Sequence, residues 1–377
     1  MKAAEARVAL LTNFVPPYRA PVLRALAARV AALRVLVSTP MEANRDWIPD
    51  WQGLDVVAQR SLALPRLRRP SGFRERLPVH VPLDTRRRLE AFRPDVVVAA
   101  ELGARSAQSV AWARGADRRV VIWATLSERT ERGRGVMARP LLRRHLLARA
   151  DGVVVNGESG ARYVARYGYP ADRIHRVAQA SPIAWAGERT GSPSGGLDLV
   201  YVGQVVERKG LQPFIDGLEK WCADRETEAR LTVVGPGSGP GLVERGLLRV
   251  HHVGPVPFEV LGGHYQAADL LVFPTLADEW GLVVNEAMAS GLPVLGSVHS
   301  QAVTELVEEG RTGWRYDPEE PGDLEAALDR MASTGPDGLR RMGEAARRRV
   351  AGLTPESMGE RLAAVLDEVL ARGRRRP

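Results

Sequence analysis

The sequence predicts an α/β protein made of two doubly wound halves, each built on a parallel sheet. Three observations carry this. Short apolar runs alternate with longer amphipathic stretches along the whole chain. Several of these runs are nearly continuous in Val, Leu and Ile, the pattern of strands covered by helices on both faces. The 377 residues also suit about two domains.

In the first half, strands are predicted at Val8–Thr12, Leu33–Ser38, Asp95–Ala100, Val120–Ala124 and Gly152–Asn156. Helices are predicted at Ala20–Ala32 and Thr85–Phe92. The second half repeats the pattern more cleanly. Its strands are Leu199–Gly203, Leu231–Gly235, Leu270–Pro274 and Pro293–Gly296. Its helices are Leu211–Trp221, Val283–Ala289, Leu324–Met331 and Asp337–Ala351, followed by a last helix, Pro355–Ala371. Between the halves, Ser181–Gly196 is rich in Gly, Ser and Pro and reads as a linker.

Composition narrows the function classes. A single cysteine, Cys222, allows no intrachain disulfide and no zinc site of thiolates. It fits a reducing compartment, so the expected location is the cytoplasm. The first apolar run, Val8–Leu11, reads as a strand rather than a signal peptide, and no run is long enough to span a membrane. The net charge of +8, supplied almost wholly by arginine, suits anionic partners or a GC-rich genome equally well.

The most informative stretch is Leu270–Ser297, LLVFPTLADEWGLVVNEAMASGLPVLGS. A buried strand runs into a loop, then into a helix starting near Gly281. A helix start behind a parallel strand offers unpaired amides and the positive end of the helix dipole, which suits a diphosphate. Gly281 lets that backbone approach closely. Glu286 lies one turn into the helix, where a carboxylate can take two vicinal ribose hydroxyls. Asp278, on the loop, can reach a sugar. Two acids near a helix start can also merely cap it. A second stretch, Leu199–Gly210 (LVYVGQVVERKG), ends a strand at Gly203 and carries Arg208 and Lys209 on the loop. A third, Leu231–Gly239, ends a strand in a Gly-rich turn at Gly235. It lacks the spacing of a dinucleotide fingerprint.

Together these stretches resemble glycosyltransferase family four, the large retaining family of the GT-B fold. The resemblance implies two Rossmann-like domains facing a central cleft. Residues 1–185 would bind the acceptor, 186–196 would link, and 197–354 would bind a nucleotide-diphospho-sugar. Residues 355–377 would cross back to the first domain. It also implies roles. Lys209 and Arg208 would neutralise the donor diphosphate, together with the amides of Leu282 and Val283. Asp278 would orient the donor sugar, or Glu279 in its place, and Glu286 would hold the ribose. Gly203, Gln204, Gly235 and Gly281 would line the donor. Gln204 stands where many members carry arginine, and Asp278 where they carry glutamate. No metal and no separate cofactor are expected, since no Asp-x-Asp occurs and His251-His252 lack ligand spacing.

The first half is less legible. Asn13–Arg19 replaces the Gly-Gly loop of many relatives, and Ser127 or Glu128 stands near the place of their histidine. Tyr18, Arg19, Glu101, Ser127 and Glu128 are the acceptor-side candidates. The acceptor would be a sugar, a small molecule or a lipid-linked glycan. Arg129–Arg149 holds seven arginines and reads as a solvated face or a peripheral contact with an anionic membrane. Two rivals remain: a nucleotide-sugar 2-epimerase on the same fold, and a nucleic-acid-binding module. The second has no recognition signature, so no nucleic acid is expected.

Overall fold

A computed structural model describes residues 1–42, 48–49, 51–68, 73, 75–131, 138–182, 197–239 and 242–372. The predicted linker lies outside the described residues from 183 to 196. So do residues 132–137 of the arginine-rich segment and the terminal Arg374, Arg375 and Arg376. The chain divides into two compact units, Met1–Pro182 with Leu353–Pro377, and Ile183–Gly352.

The first unit runs β1 (Arg7–Thr12), α1 (Ala20–Ala27), β2 (Ala32–Val37), β3 (Asp55–Ala58), β4 (Ser61–Arg68), β5 (Glu75–Pro82), α2 (Thr85–Phe92), β6 (Val96–Ala100) and α3 (Ala104–Ala116). It continues β7 (Arg119–Ala124), α4 (Ala138–Leu147), β8 (Gly152–Val155), α5 (Glu158–Ala165) and β9 (Ile174–Arg176). The second unit runs β10 (Leu197–Val202), α6 (Leu211–Asp224), β11 (Ala229–Val234), β12 (Leu248–Gly254), α7 (Leu261–Gln266), β13 (Leu270–Phe273) and α8 (Leu282–Ala289). It ends with β14 (Val294–Ser297), α9 (Gln301–Leu306), β15 (Gly313–Tyr316), α10 (Asp323–Ala332) and α11 (Gly335–Val350). The last helix, α12 (Pro355–Ala371), belongs to the first unit and packs on α1.

Both large sheets are parallel, with strand orders β3-β2-β1-β6-β7-β8-β9 and β12-β11-β10-β13-β14-β15. In each, the first strand of its half lies in the middle, and the chain winds outward in both directions from it. This is the doubly wound order that the apolar runs predict, and the GT-B expectation of two Rossmann-like folds holds. Its functional consequence is the switch point. Between β1 and β6, and again between β10 and β13, successive connections leave on opposite faces. A crevice then opens beyond the carboxyl ends of the strands.

The central strands are apolar on both faces because helices cover both. Every residue of β13 is buried, and so is β1 from Val8 onward. In the second unit the core joins Leu199, Tyr201, Phe214, Trp221, Leu231 and Leu270. In the first, Met358, Leu362 and Leu366 of α12 complete a core with Val8, Leu10, Leu23 and Leu26.

Strands β3, β9, β12 and β15 extend the sheets beyond the expected strands, and two other features also depart from expectation. Helix α1 stops at Ala27, not Ala32, because Ala32 already opens β2. The antiparallel hairpin β4–β5 lies between β3 and α2 and was not anticipated. Its register sets Pro65 opposite Pro78. Proline donates nothing to a ladder, so such a run does not read as a strand.

Candidate functional site

The loops that leave β10 and β13 meet at the second unit's switch point. The first begins at Gly203 and ends in a short 3-10 turn, Glu207–Lys209. The second covers residues 274–281. They are joined along their length. Leu276 N donates to Arg208 O at 2.9 Å, and Arg208 Nη1 donates to Ala277 O at 2.8 Å. Lys209 Nζ donates to Asp278 Oδ2, and Arg208 Nη1 lies 3.9 Å from the same oxygen. The ammonium also sits 5.4 Å from the centre of the Phe273 ring.

Asp278 is therefore a buried carboxylate between two cations. Burial alone works against its charge. Lys209 and Arg208, with the Trp280 amide at 3.2 Å from Oδ1, outweigh that and hold the carboxyl below its ordinary value. The neighbouring Glu279 is half-buried, and its carbonyl accepts from Gln301 Nε2 at 2.6 Å.

Residues 297–302 brace this loop from behind. Asp278 N donates to His299 O at 3.2 Å, Ala302 N donates to Trp280 O at 3.0 Å, and Ser300 Oγ donates to Trp280 O as well. The Trp280 indole is buried and donates to Asn285 Oδ1 at 2.8 Å, which ties the loop to α8. Gly281 enters α8 at φ +106°, and a Cβ there would lie 2.7 Å from the Phe273 ring. Only glycine meets both demands. Leu282 and Val283 head the helix half-exposed. One turn on, Glu286 is buried, and its Oε2 accepts from Tyr265 Oη at 3.0 Å. Burial and the Glu286 charge push the Tyr265 hydroxyl well above its ordinary value, so it stays a donor.

Gly235 shows why the third stretch is glycine-rich. A Cβ there would lie 2.0 Å from Gly203 O. The turns after β10 and β11 thus run in backbone contact, with Val205 N donating to Pro236 O at 2.8 Å. Gln204 turns its carbonyl to Tyr201 Oη at 2.8 Å. His252 Nε2 lies 3.0 Å from Gly235 O.

The acceptor-side candidates do not form one group. Arg19 lies over the Trp123 ring at 4.6 Å and reaches Gln179 Oε1 at 3.5 Å, with Tyr18 beside it in the same short turn. Glu101 has φ +67° and accepts from Thr125 Oγ1 at 2.6 Å. Ser127 is buried in a turn with Thr130 at 3.2 Å. Glu128 pairs with Arg162 of α5 at 2.8 Å and with Arg166, which caps that helix.

Sequence reasoning missed three residues here. Tyr265 carries no motif. Asn13 donates to Glu42 across the end of the first sheet. Arg105, in the first turn of α3, donates to Ser38 Oγ at 3.1 Å. Burial lowers its guanidinium against the opposing charges of Glu101 and Glu42. The run Glu101-Leu-Gly-Ala-Arg105, a strand end leading into a helix start, was the signal available.

Comparison with known proteins agrees with this geometry. Sucrose-phosphate synthase of Thermosynechococcus elongatus superposes with a TM-score of 0.69 at 18% identity, over 97% of this chain and 99% of that one. Anabaena HepE, in complex with UDP-glucose, gives 0.68 at 17% identity, over 97% and 100%. These likenesses establish the fold. In sequence, the chain is 30% identical over 257 residues to D-inositol 3-phosphate glycosyltransferase of Nocardia farcinica. That match takes in 62% of this chain and 56% of the relative, so the chain spans little more than half the length of the curated protein it matches. The family described as glycosyl transferase 4-like domain matches residues 15–179, and the one described as glycosyl transferases group 1 matches 196–334. With one such match on each half, the chain belongs to the family-four-type glycosyltransferases.

Proposed function

We propose that this chain transfers a sugar, with retention of configuration, from a nucleotide-diphospho-sugar to an acceptor hydroxyl. One observation carries the reading. Arg208 and Lys209 converge on Asp278 at the switch point, beside a helix start that glycine alone can enter. Fixed cations and helix amides in a half-buried crevice suit a pyrophosphate. A β-phosphate there shares Lys209 with Asp278, and the Leu282 and Val283 amides face the same charge. Asp278 or Glu279 orients the sugar, and Glu286, held by Tyr265, takes the ribose.

As the bond from sugar C1 to the β-phosphate oxygen breaks, the departing diphosphate gains charge. The cations then stabilise the transition state more than the ground state. The acceptor oxygen bonds to C1 from the same face and passes its proton to the leaving phosphate oxygen. The acceptor is a sugar or lipid-linked hydroxyl compound handled by the first unit. Relatives and neighbours named for UDP-glucose and for inositol phosphate support this class of donor and acceptor.

The enzyme is proposed to work in the cytoplasm, touching the inner membrane face through α4. Leu141 and Leu142 are 70% and 40% exposed there, beside exposed Arg144. Apolar and cationic side chains side by side suit an anionic bilayer surface. Among the described residues no helix is long and apolar enough to cross a membrane.

A thermal-shift screen against nucleoside diphosphates and their sugars tests the donor, since ligand binding to the folded state raises the melting temperature. Incubation of the stabilising sugar nucleotide with candidate acceptors then tests transfer. No stabilisation by any member would overturn the reading. An epimerised donor formed without an acceptor would replace transfer with epimerisation.

A further inference from the structure

Another set of side chains lies at the ends of β14 and β15, apart from those assigned to the donor. His299 follows β14, Asp317 follows β15 directly, and Glu319 is two residues further on. His299 Nε2 lies 3.1 Å from Asp317 Oδ1 and 4.0 Å from Glu319 Oε2. The three potential ligand atoms all fall within 4.8 Å of one another. The imidazole forms the floor at 7% exposure, and the carboxylates form a rim at 34% and 54%.

Two points raise this above a surface ion pair. Two carboxylate oxygens of like charge approach one buried imidazole nitrogen, at 3.1 and 4.0 Å. A cation lodged among them meets all three ligand atoms at once. The positions are also set by the backbone around them. Val298 N donates to Tyr316 O at 3.0 Å, Glu319 N to Asp317 Oδ1 at 2.9 Å, and Asp317 N to Asp323 Oδ2 at 2.7 Å. Bonds of this kind orient ligands before a metal arrives.

We propose that His299, Asp317 and Glu319 bind a divalent first-row transition ion, with zinc favoured and water completing its coordination. One imidazole nitrogen with two carboxylates suits zinc, whereas magnesium and calcium take oxygen ligands. Ligands about 2.0–2.2 Å from a tetrahedral zinc stand roughly 3.3–3.6 Å apart. A rotation of the half-exposed Glu319 side chain closes the longer separation. The site performs no step of transfer. It touches the donor loop through the backbone, because His299 O accepts from Asp278 N at 3.2 Å. The ion therefore braces the segment against which Asp278 is held.

The test uses the full chain without a histidine tag, stripped with a chelator and titrated calorimetrically with zinc, manganese and magnesium chlorides. One saturable zinc site per chain is expected, at least about tenfold tighter than magnesium, with a rise in melting temperature. His299→Gln and Glu319→Gln should each weaken zinc by about tenfold or more. Glu319 is on the rim, so its substitution stays informative if the His299 variant folds poorly. No saturable zinc binding, or zinc binding unchanged in both variants, would overturn the proposal. Binding is the readout, so the result does not depend on whether the chain transfers sugar.

Discussion

The two switch points share a topology and differ in chemistry. At the second, Arg208 and Lys209 outnumber the one carboxylate they hold, and glycines let three backbones crowd together. At the first, the half-buried Arg105 faces the charges of Glu101 and Glu42, and the loop after β1 is stiffened by Pro16 and Pro17. Strand order supplies a crevice at both places, but the loops decide what each can bind. A surplus of cations with free helix amides suits a pyrophosphate. Carboxylates, amides and hydroxyls around one arginine suit a hydroxyl-bearing molecule.

The strongest way to break this comparison is to remove the cation at the second switch point. Lys209→Ala should lower kcat about 10²- to 10³-fold, the usual loss when one donor to a developing oxyanion is removed. It also leaves Asp278 buried with Arg208, 3.9 Å away, as the remaining cation of the pair and the Trp280 amide as its hydrogen-bond donor. Stability should therefore fall, by up to ~3 kcal/mol, the low end for a broken buried pair. Steady-state kinetics well below the melting temperature separate the two effects. Full activity in the folded variant would remove the basis for calling this the donor site.

Next in size is the matching change at the first switch point. Arg105→Met should raise the KM for the acceptor about tenfold or more and leave the affinity for the nucleoside diphosphate unchanged. A lost hydrogen bond to a charged group, at about 1.5–3 kcal/mol, sets that scale. Calorimetry with the diphosphate alone and kinetics with varied acceptor give the two numbers. If donor affinity falls instead, the division of labour between the two units is wrong.

The same contrast explains what the sequence made legible. In the second unit, site residues are contiguous: Gly203 to Lys209 and Asp278 to Glu286 each sit on one loop and one helix start, so spacing exposes them. Strands there are apolar on both faces and stand out by composition. In the first unit, the polar group draws on Asn13, Ser38, Glu42, His80, Glu101, Arg105 and Thr125, from separate connections. No local pattern joins such residues before the sheet does. Ser127 and Glu128 illustrate the cost. Both follow a strand end, yet one turns inward to Thr130 and the other outward to α5. The hairpin β4–β5 was hidden for a different reason, its facing prolines.

A smaller effect sharpens the account of the donor side. Tyr265→Phe deletes one hydroxyl and keeps the buried ring. Glu286 then loses its 3.0 Å donor. Donor KM should rise about tenfold with kcat changed much less, as expected when a ground-state contact is loosened. Glu286→Gln combined with Tyr265→Phe should cost less than the sum of the two, because both act on one carboxylate. Additive losses would mean that Tyr265 does not act through Glu286.

The smallest expected effect is in pH, where the two switch points should answer acid at different stages. His80, near Glu42 and Arg105, has its imidazole pushed below the ordinary 6.5, chiefly by burial, with Arg105 adding to it and Glu42 opposing. His175, beside α12, is lowered in the same way. A lowered histidine binds fewer protons folded than unfolded. Its contribution is therefore complete above 6.5 and is lost as pH falls toward the folded value. Asp278 is also lowered, so its contribution is complete above 3.8 and is lost only as pH falls below that. Urea unfolding midpoints should thus decline first as pH falls below 6.5, and again as it falls below 3.8. His80→Gln should flatten the first decline in part, with His175→Gln removing more, and neither should alter the second. If His80→Gln leaves the slope near pH 6 untouched, the imidazole is not confined beside Arg105, and the polar group at the first switch point is looser than its hydrogen bonds indicate.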